Sequence, residues 1–157
     1  MKIDIGCGAK PAPDFDVYID VYMSKEVKNN SEISKKFVKT PMEDMSMFKD
    51  KQFEYARCHH VIEHVNDPNK ACSEMIRTAK KGTLWFPTVE ADILFGRRDH
   101  NWLVFQNKPN HLLFIKKRFA SYYGQGRAGL PAEIRGAARL QQKPFEWEGS
   151  FTWTVVL

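Results

Sequence analysis

Long apolar runs and cysteine are scarce in this sequence. No apolar stretch reaches the about 20 residues that a membrane-spanning helix needs. Asp4 and two nearby glycines interrupt the N-terminus where a signal peptide would have its apolar core. The three cysteines are an odd number and lack the paired spacing of a disulfide framework or a zinc site. These absences favour a cytoplasmic protein with reduced thiols and no membrane segment.

The chain of 157 residues, with 43% hydrophobic and 27% charged residues, predicts one globular domain over 1–157. Its net charge of +5 is uneven: residues 1–80 hold 13 Lys/Arg and 13 Asp/Glu, whereas residues 81–157 hold 11 and 6. A basic C-terminal half suits an anionic partner such as RNA. A solvated basic surface is the simpler interpretation.

The first predicted strand ends in the turn Gly6-Cys7-Gly8. Apolar Ile3 and Ile5 flank Asp4 in that strand. A Gly-x-Gly turn brings backbone close to a ligand because no Cβ stands in the way. At the carboxyl end of a strand in an open parallel sheet, such a turn lies where ligands bind.

A second predicted strand, Val17–Tyr22, carries Asp20 near its end. A carboxylate there can accept hydrogen bonds from both ribose hydroxyls. Pro11 and Pro13 interrupt helix formation between the two strands, and the third glycine of a dinucleotide site is missing. The pattern favours a nucleoside-type ligand without a pyrophosphate.

The rest of the first half alternates strands with helical segments, which predicts a parallel α/β sheet. Asp67 and Pro68 begin the clearest helix, and Gly82 is predicted to end it. Further strands are predicted at 37–40, 52–58 and 83–87. Two hairpins are predicted later, one over 99–115 and one over 145–155, with a short helix near 131–140.

Several segments together resemble the class I S-adenosylmethionine-dependent methyltransferases. Asp4 to Gly8 resembles their first motif, and the proline-containing loop after it looks like the branch without a first helix. Cys58 to Pro68 is similar to the family's fourth strand, Glu-His pair and Asp-Pro helix start. The resemblance covers residues 2 to about 116.

The resemblance implies a Rossmann-like methyltransferase fold, with a mostly parallel twisted sheet in the order 3-2-1-4-5 and helices on both faces. Residues 1 to about 90 would form the core. A β-rich C-terminal region, 91–157, would supply a lid or acceptor region and a terminal hairpin.

S-adenosylmethionine is the implied cofactor. Asp4 and the glycine turn would line its methionine side, Asp20 its ribose, and Met42 and Glu43 its adenine, although Thr40-Pro41 replaces the usual aspartate. The expected cofactor-binding residues are Asp4, Gly6, Cys7, Gly8, Asp20, Val21, Met42, Glu43, Cys58 and His59.

The implied reaction moves a methyl group to an oxygen or nitrogen, mainly by aligning the acceptor, with a small molecule or glycan as the first expectation. Histidine suits the base that such an acceptor would need. His59 is the first candidate and His100 the second, while a packing role is the alternative for each. The motifs for methylating base amino groups or carbon 5 of pyrimidines are absent.

No metal is expected. The spacing of His60, Glu63 and His64 nevertheless places three potential ligands together, with His100 or His111 as a fourth. In relatives without metal the Glu-His pair braces the loop.

A binding module with the same fold but no turnover is the alternative function. The sequence starts at the first strand, without the helix that often covers the cofactor in relatives, and the adenine-loop aspartate is missing. A homodimer covering that face is a further expectation.

Overall fold

The chain forms a mixed α/β fold, and the computed structural model describes residues 1–95, 97–118 and 144–157. The larger sheet contains five parallel strands: β1 (Lys2–Ile5), β2 (Val17–Asp20), β3 (Phe37–Lys39), β4 (Tyr55–His59) and β5 (Lys81–Trp85). They lie in the predicted order β3-β2-β1-β4-β5. The first and fourth strands are therefore neighbours, so the residues that follow them meet at one edge of the sheet.

The smaller sheet contains β6 (Trp102–Lys108), β7 (His111–Lys116) and β9 (Thr152–Val156), in that order. The antiparallel pairing of β6 with β7 confirms the first predicted hairpin, with a bulge between Gln106 and Lys108. β9 pairs parallel with β7.

The terminal hairpin was predicted wrongly in its pairing. β8 (Phe145–Glu148) runs antiparallel to β5 at the edge of the larger sheet, whereas β9 joins the smaller sheet. Gly149, at a φ of 73°, lies at the crossing between the sheets. An isolated hairpin exposes one of its faces, whereas this split buries Phe145, Trp147 and Phe151 in the common core.

Four short helices occur in the described residues: α1 (Lys25–Asn29), α2 (Ser31–Lys35), α3 (Pro68–Thr78) and α4 (Val89–Phe95). Asp67 caps α3 as predicted, since its carboxylate accepts the N–H groups of Asn69 and Lys70. None of these helices has the length and apolar character to cross a membrane. The helix predicted near 131–140 lies outside the described residues.

Gly82 does not end α3 as predicted. The last helical residue is Thr78, Ala79 is the C-cap, and Gly82 lies within β5. A Cβ on Gly82 would come within 2.4 Å of the Ala56 carbonyl oxygen on β4. The glycine is therefore required by close contact between strands, not by the helix end.

One apolar core joins both sheets and α3. Ile3, Ile5 and Ile19 come from the larger sheet, Met75 comes from α3, and Phe114 comes from the smaller sheet; all five are fully buried. Full burial of each such side chain stabilises the fold by about 1.5–3 kcal/mol. The smaller sheet is thus fixed to the α/β core, which fixes the segment that precedes β6.

Candidate functional site

A cavity of about 860 Å³ opens at the carboxyl ends of the parallel strands. Its wall comes from the turn after β1, the end of β2, the loops after β3 and β4, and the segment around α4. This is the edge where open α/β sheets bind their ligands.

The glycine turn has the backbone form that its sequence predicts. Gly6 and Gly8 both line the cavity, with φ angles of 67° and 52°. Both values lie in the left-handed region that glycine adopts without a steric penalty. They confirm a tight turn at the carboxyl end of β1.

The N–H groups of this turn bond within the protein. Gly6 and Cys7 donate to the Ile19 carbonyl oxygen at 2.8 and 3.1 Å. The Gly8 N–H donates to Asp20 Oδ2 at 2.9 Å. The turn therefore links β1 to the end of β2. Its N–H groups are already hydrogen-bonded within the protein, so the glycines favour a ligand by letting it approach closely and not by donating to it.

The two glycines differ in the space around them. A Cβ on Gly6 would come within 2.1 Å of Val61 Cγ2, whereas the nearest atom to a Cβ on Gly8 is the Gly6 carbonyl oxygen at 3.9 Å. Packing against the loop after β4 excludes a side chain at Gly6. At Gly8 there is room for a side chain, and this room is part of the cavity that Gly8 lines.

Asp4 lies beneath the cavity and does not line it. Its carboxylate is fully buried and accepts hydrogen bonds from Arg57 Nη1 at 2.7 Å and the Ala12 N–H at 2.8 Å. Burial raises the pKa of Asp4 above its ordinary value, although both hydrogen bonds favour the charged form. The residue joins β1, β4 and the proline-containing loop, and its expected contact with cofactor stays a prediction.

Cys7 and Cys58 are also buried outside the cavity wall. Burial first, and then the charges of Asp20 and Asp4, raise the pKa of the Cys7 thiol to about 12. Burial raises the pKa of Cys58 as well. Both remain neutral thiols at physiological pH, and their contact with cofactor stays a prediction.

The expected ribose and adenine residues do line the cavity: Asp20, Val21, Met42 and Glu43. Glu43 Oε1 accepts the Asn66 N–H at 2.8 Å, which links the loop after β3 to the loop after β4. The structure thus brings these four residues to the same cavity as the glycine turn.

The loop that carries Met42 and Glu43 is held from α3. Glu74 accepts the Met45 N–H at 2.8 Å and receives two further hydrogen bonds from Arg77. The Arg77 hydrogen bond lowers the pKa of Glu74. This ion pair was not predicted, because its partners are ordinary surface residue types with no signal beyond their spacing of three on a helix.

His59 does not line the cavity, although its ring centroid lies 4.7 Å from that of His60, which does. Arg57 Nη2 lies 2.9 Å from His59 Nδ1, and because a guanidinium only donates, that nitrogen accepts. Burial, His60 and Arg57 lower the pKa of His59 to about 4. The ring is therefore neutral at pH 7 and a weak proton acceptor.

His64 and His100 meet in the part of the cavity wall formed by the loop after β4 and the segment before β6, called here the histidine end; the part formed by Gly8 and Asp20 is called the glycine end. Their ring centroids are 4.6 Å apart and nearly perpendicular. His100 Nδ1 lies 2.8 Å from Asp92 Oδ1, and His64 Nδ1 lies 2.9 Å from the Asp99 carbonyl oxygen. Both histidines were predicted from the sequence as candidate site residues, whereas Asp92 and Asp99 were not, since neither has a motif around it.

Glu63 lies beside this pair and is 1% exposed. His60 Nδ1 bonds its Oε1 at 3.2 Å. The backbone carbonyl oxygen of Glu63 accepts hydrogen bonds from the N–H groups of Asn101 and Trp102. These backbone bonds attach the start of β6 to the loop after β4, and they explain why His100 lies next to His64.

The comparisons with known proteins agree with this architecture. The family described as Methyltransferase domain matches residues 3–86. No curated protein shows a significant match to the chain.

Solved structures with similar folds include the PH0226 protein of Pyrococcus horikoshii OT3 (18% identity, TM-score 0.50), which aligns over 68% of this chain and 61% of its own. YcgJ of Bacillus subtilis has 22% identity and a TM-score of 0.47 over 56% and 44% of the two chains. The 1,6-didemethyltoxoflavin-N1-methyltransferase of Burkholderia thailandensis, solved with 1,6-didemethyltoxoflavin and S-adenosylhomocysteine, has 13% identity and a TM-score of 0.46 over 87% and 58%. The chain spans less than two thirds of each of these proteins.

Proposed function

We propose that this chain, which belongs to the methyltransferase domain family, transfers a methyl group from S-adenosylmethionine to an oxygen or nitrogen of an acceptor. S-adenosylmethionine is the cofactor of this family. One observation carries the proposal: a single cavity joins Gly8 and Asp20 to His64 and His100.

The glycine end of the cavity fits the cofactor. Asp20 presents a carboxylate in the wall, suited to the hydroxyls of a ribose, and Gly8 leaves space where another residue would place a Cβ. Val21, Met42 and Glu43 would lie around the adenine. When bound, the cofactor supplies a methyl group on a positively charged sulfur.

The histidine end suits acceptor activation. Because the Asp92 carboxylate accepts from His100 Nδ1, the neutral ring has its lone pair on Nε2. That nitrogen would take the proton of an acceptor hydroxyl or amine. Asp92 also pairs with Lys117 at 3.2 Å, and all three side chains are buried, which fixes the orientation of the ring. The larger contribution to the rate comes from alignment of the acceptor, which lowers the activation barrier by up to about 7–11 kcal/mol in ideal cases.

The cofactor would fill part of the 860 Å³ cavity, so the volume left for the acceptor suits a small molecule or the end of a glycan. An RNA acceptor would use the basic residues of the C-terminal half. A cytoplasmic location and a homodimer remain parts of the proposal.

Titration calorimetry with S-adenosylmethionine and S-adenosylhomocysteine tests the first step. We expect binding of both with mutual competition, followed by S-adenosylhomocysteine production when hydroxyl and amine acceptors are screened. In His100→Asn we expect slower turnover and unchanged cofactor affinity. Absence of cofactor binding would overturn the function, and binding without turnover for every acceptor class would favour the binding module.

A further inference from the structure

We propose that Glu63, His64 and His100 bind one divalent transition-metal ion at the histidine end of the cavity. Each residue offers one ligand atom, and these three atoms lie within 4.8 Å of one another. All three residues line the cavity, so the ion would face the space assigned to the acceptor.

The hydrogen bonds of the two histidines leave one nitrogen of each ring available to a metal ion. A carbonyl oxygen only accepts, so His64 Nδ1 donates to Asp99 and Nε2 has the lone pair. The carboxylate of Asp92 fixes the same tautomer in His100. A ring that donates its other N–H to a carboxylate or backbone carbonyl is the usual arrangement of a metal-binding histidine.

Glu63 gives an independent indication of a missing partner. Its side chain is 1% exposed, and Oε2 has no hydrogen bond within the described residues. A buried charged carboxylate is costly when an oxygen lacks a partner. His60 bonds only Oε1 and thereby holds the carboxylate in place. A cation beside Glu63 would compensate this oxygen.

The ligand set indicates the kind of ion. Two imidazoles and one carboxylate suit Zn²⁺, Fe²⁺, Mn²⁺ or Co²⁺ better than Ca²⁺ or Mg²⁺, which prefer oxygen ligands. Three protein ligands leave at least one coordination position open, as in catalytic metal sites. An open position toward the cavity would bind an acceptor through an oxygen atom.

Binding of the ion does not depend on the proposed function. Only its role in activating the methyl acceptor rests on that function. With the ion bound, the His100 Nε2 lone pair would go to the metal, and the cation would favour loss of the proton of a bound acceptor hydroxyl to water, so that the resulting oxygen anion could take the methyl group from the sulfur of the cofactor. The expected acceptors are therefore those that present a hydroxyl or a similar oxygen donor.

The test is a titration of chelator-treated full chain with Co²⁺, followed by visible absorption, and with Zn²⁺, followed by calorimetry. We expect one ion per chain and the absorption of a low-coordinate Co²⁺ site. Glu63→Gln and His64→Gln should each weaken the affinity by more than the about 10–100-fold that loss of a residue orienting a metal ligand costs. His59→Gln, a neighbouring histidine outside the cluster, should leave it unchanged.

Absence of a Co²⁺ absorption change and of Zn²⁺ heat would overturn the inference, as would binding that survives both ligand variants. Thermal unfolding of each variant identifies a folding defect. If Glu63→Gln does not fold, His64→Gln decides, because that side chain is 31% exposed. Cofactor titration of the chelator-treated chain separates this inference from the proposed function, since either binding can be lost while the other remains.

Discussion

The two ends of the cavity differ in how far their polar groups are hydrogen-bonded within the protein. At the glycine end, the N–H groups of residues 6–8 all bond to the end of β2, and Asp20 accepts one of them. At the histidine end, His64 and His100 keep nitrogen lone pairs available, and Glu63 Oε2 lacks a hydrogen bond within the described residues. In the proposed function, the first end would hold a ligand by shape and one carboxylate, and the second would supply reactive side chains.

The largest loss of stability is expected at Gly6, where neighbouring atoms leave no space for a side chain. Gly6→Ala places a Cβ within 2.1 Å of Val61, whereas for Gly8→Ala the nearest atom among the described residues, apart from the chain neighbours, is 3.9 Å away. Both changes strain a positive φ by about 1–2 kcal/mol, and overpacking adds about 1–3 kcal/mol to Gly6→Ala alone. Urea unfolding should show the larger loss for Gly6→Ala. Equal losses would contradict the difference assigned to the two glycines.

Removing the carboxylate from the glycine end should weaken cofactor binding without a comparable loss of stability. Asp20→Asn keeps an acceptor oxygen but loses the charge, so we expect a loss of about 1.5–3 kcal/mol in S-adenosylmethionine binding, roughly 10–150-fold. Calorimetry measures this, with Asp14→Asn as the control at an exposed position of the loop that precedes β2. Similar affinities for the two variants would remove Asp20 from the site.

The wall of the glycine end depends on the Glu74–Arg77 pair for stability, and this dependence varies with pH. The folded-state pKa of Glu74 lies below the ordinary value of 4.5, so the unfolded chain binds more protons in that range. The stabilisation is present above pH 4.5 and is lost as pH falls through the folded pKa.

Glu74→Gln removes that ionisation, so its deficit against the wild type should be about 1–2 kcal/mol at pH 7. The deficit should shrink as pH falls below 4.5, as measured by urea unfolding across pH 3–7. A deficit that does not vary with pH would show that charge is not the source. Glu32→Gln, on the exposed Glu32–Lys35 pair, is the matched control.

The smallest effect concerns His59, which belongs to neither end. Its pKa of about 4 predicts that its ring signals stay constant between pH 5.5 and 8 in NMR spectra. His59→Gln identifies these signals by their disappearance. A midpoint near the ordinary value of 6.5 would restore His59 as a candidate base.

Local sequence was sufficient to predict the turn at Gly6 and Gly8 and the place of Asp20 in the cavity wall, although the predicted Asp4 and Cys7 lie outside that wall. Turn residues, strand periodicity and the position of Asp20 are all encoded within a few residues of each other, and parallel pairing brings them together. The sequence could not show that the turn's N–H groups bond to Ile19 and Asp20, because that depends on strand register.

The histidine end depends on contacts between distant segments. His100 reaches His64 because the Glu63 carbonyl oxygen binds the start of β6, and Asp92 reaches His100 from α4. No periodic pattern encodes these contacts. The pairing of β8 with β5 was missed for the same reason, since the turn at Gly149 is compatible with either arrangement.

A crystal structure of the chain with S-adenosylhomocysteine tests the division of the cavity most directly. We expect the ribose hydroxyls on Asp20, the adenine beside Met42, and the sulfur directed toward His64 and His100. A cofactor bound in the reverse direction, or outside this cavity, would contradict the assignment of the two ends.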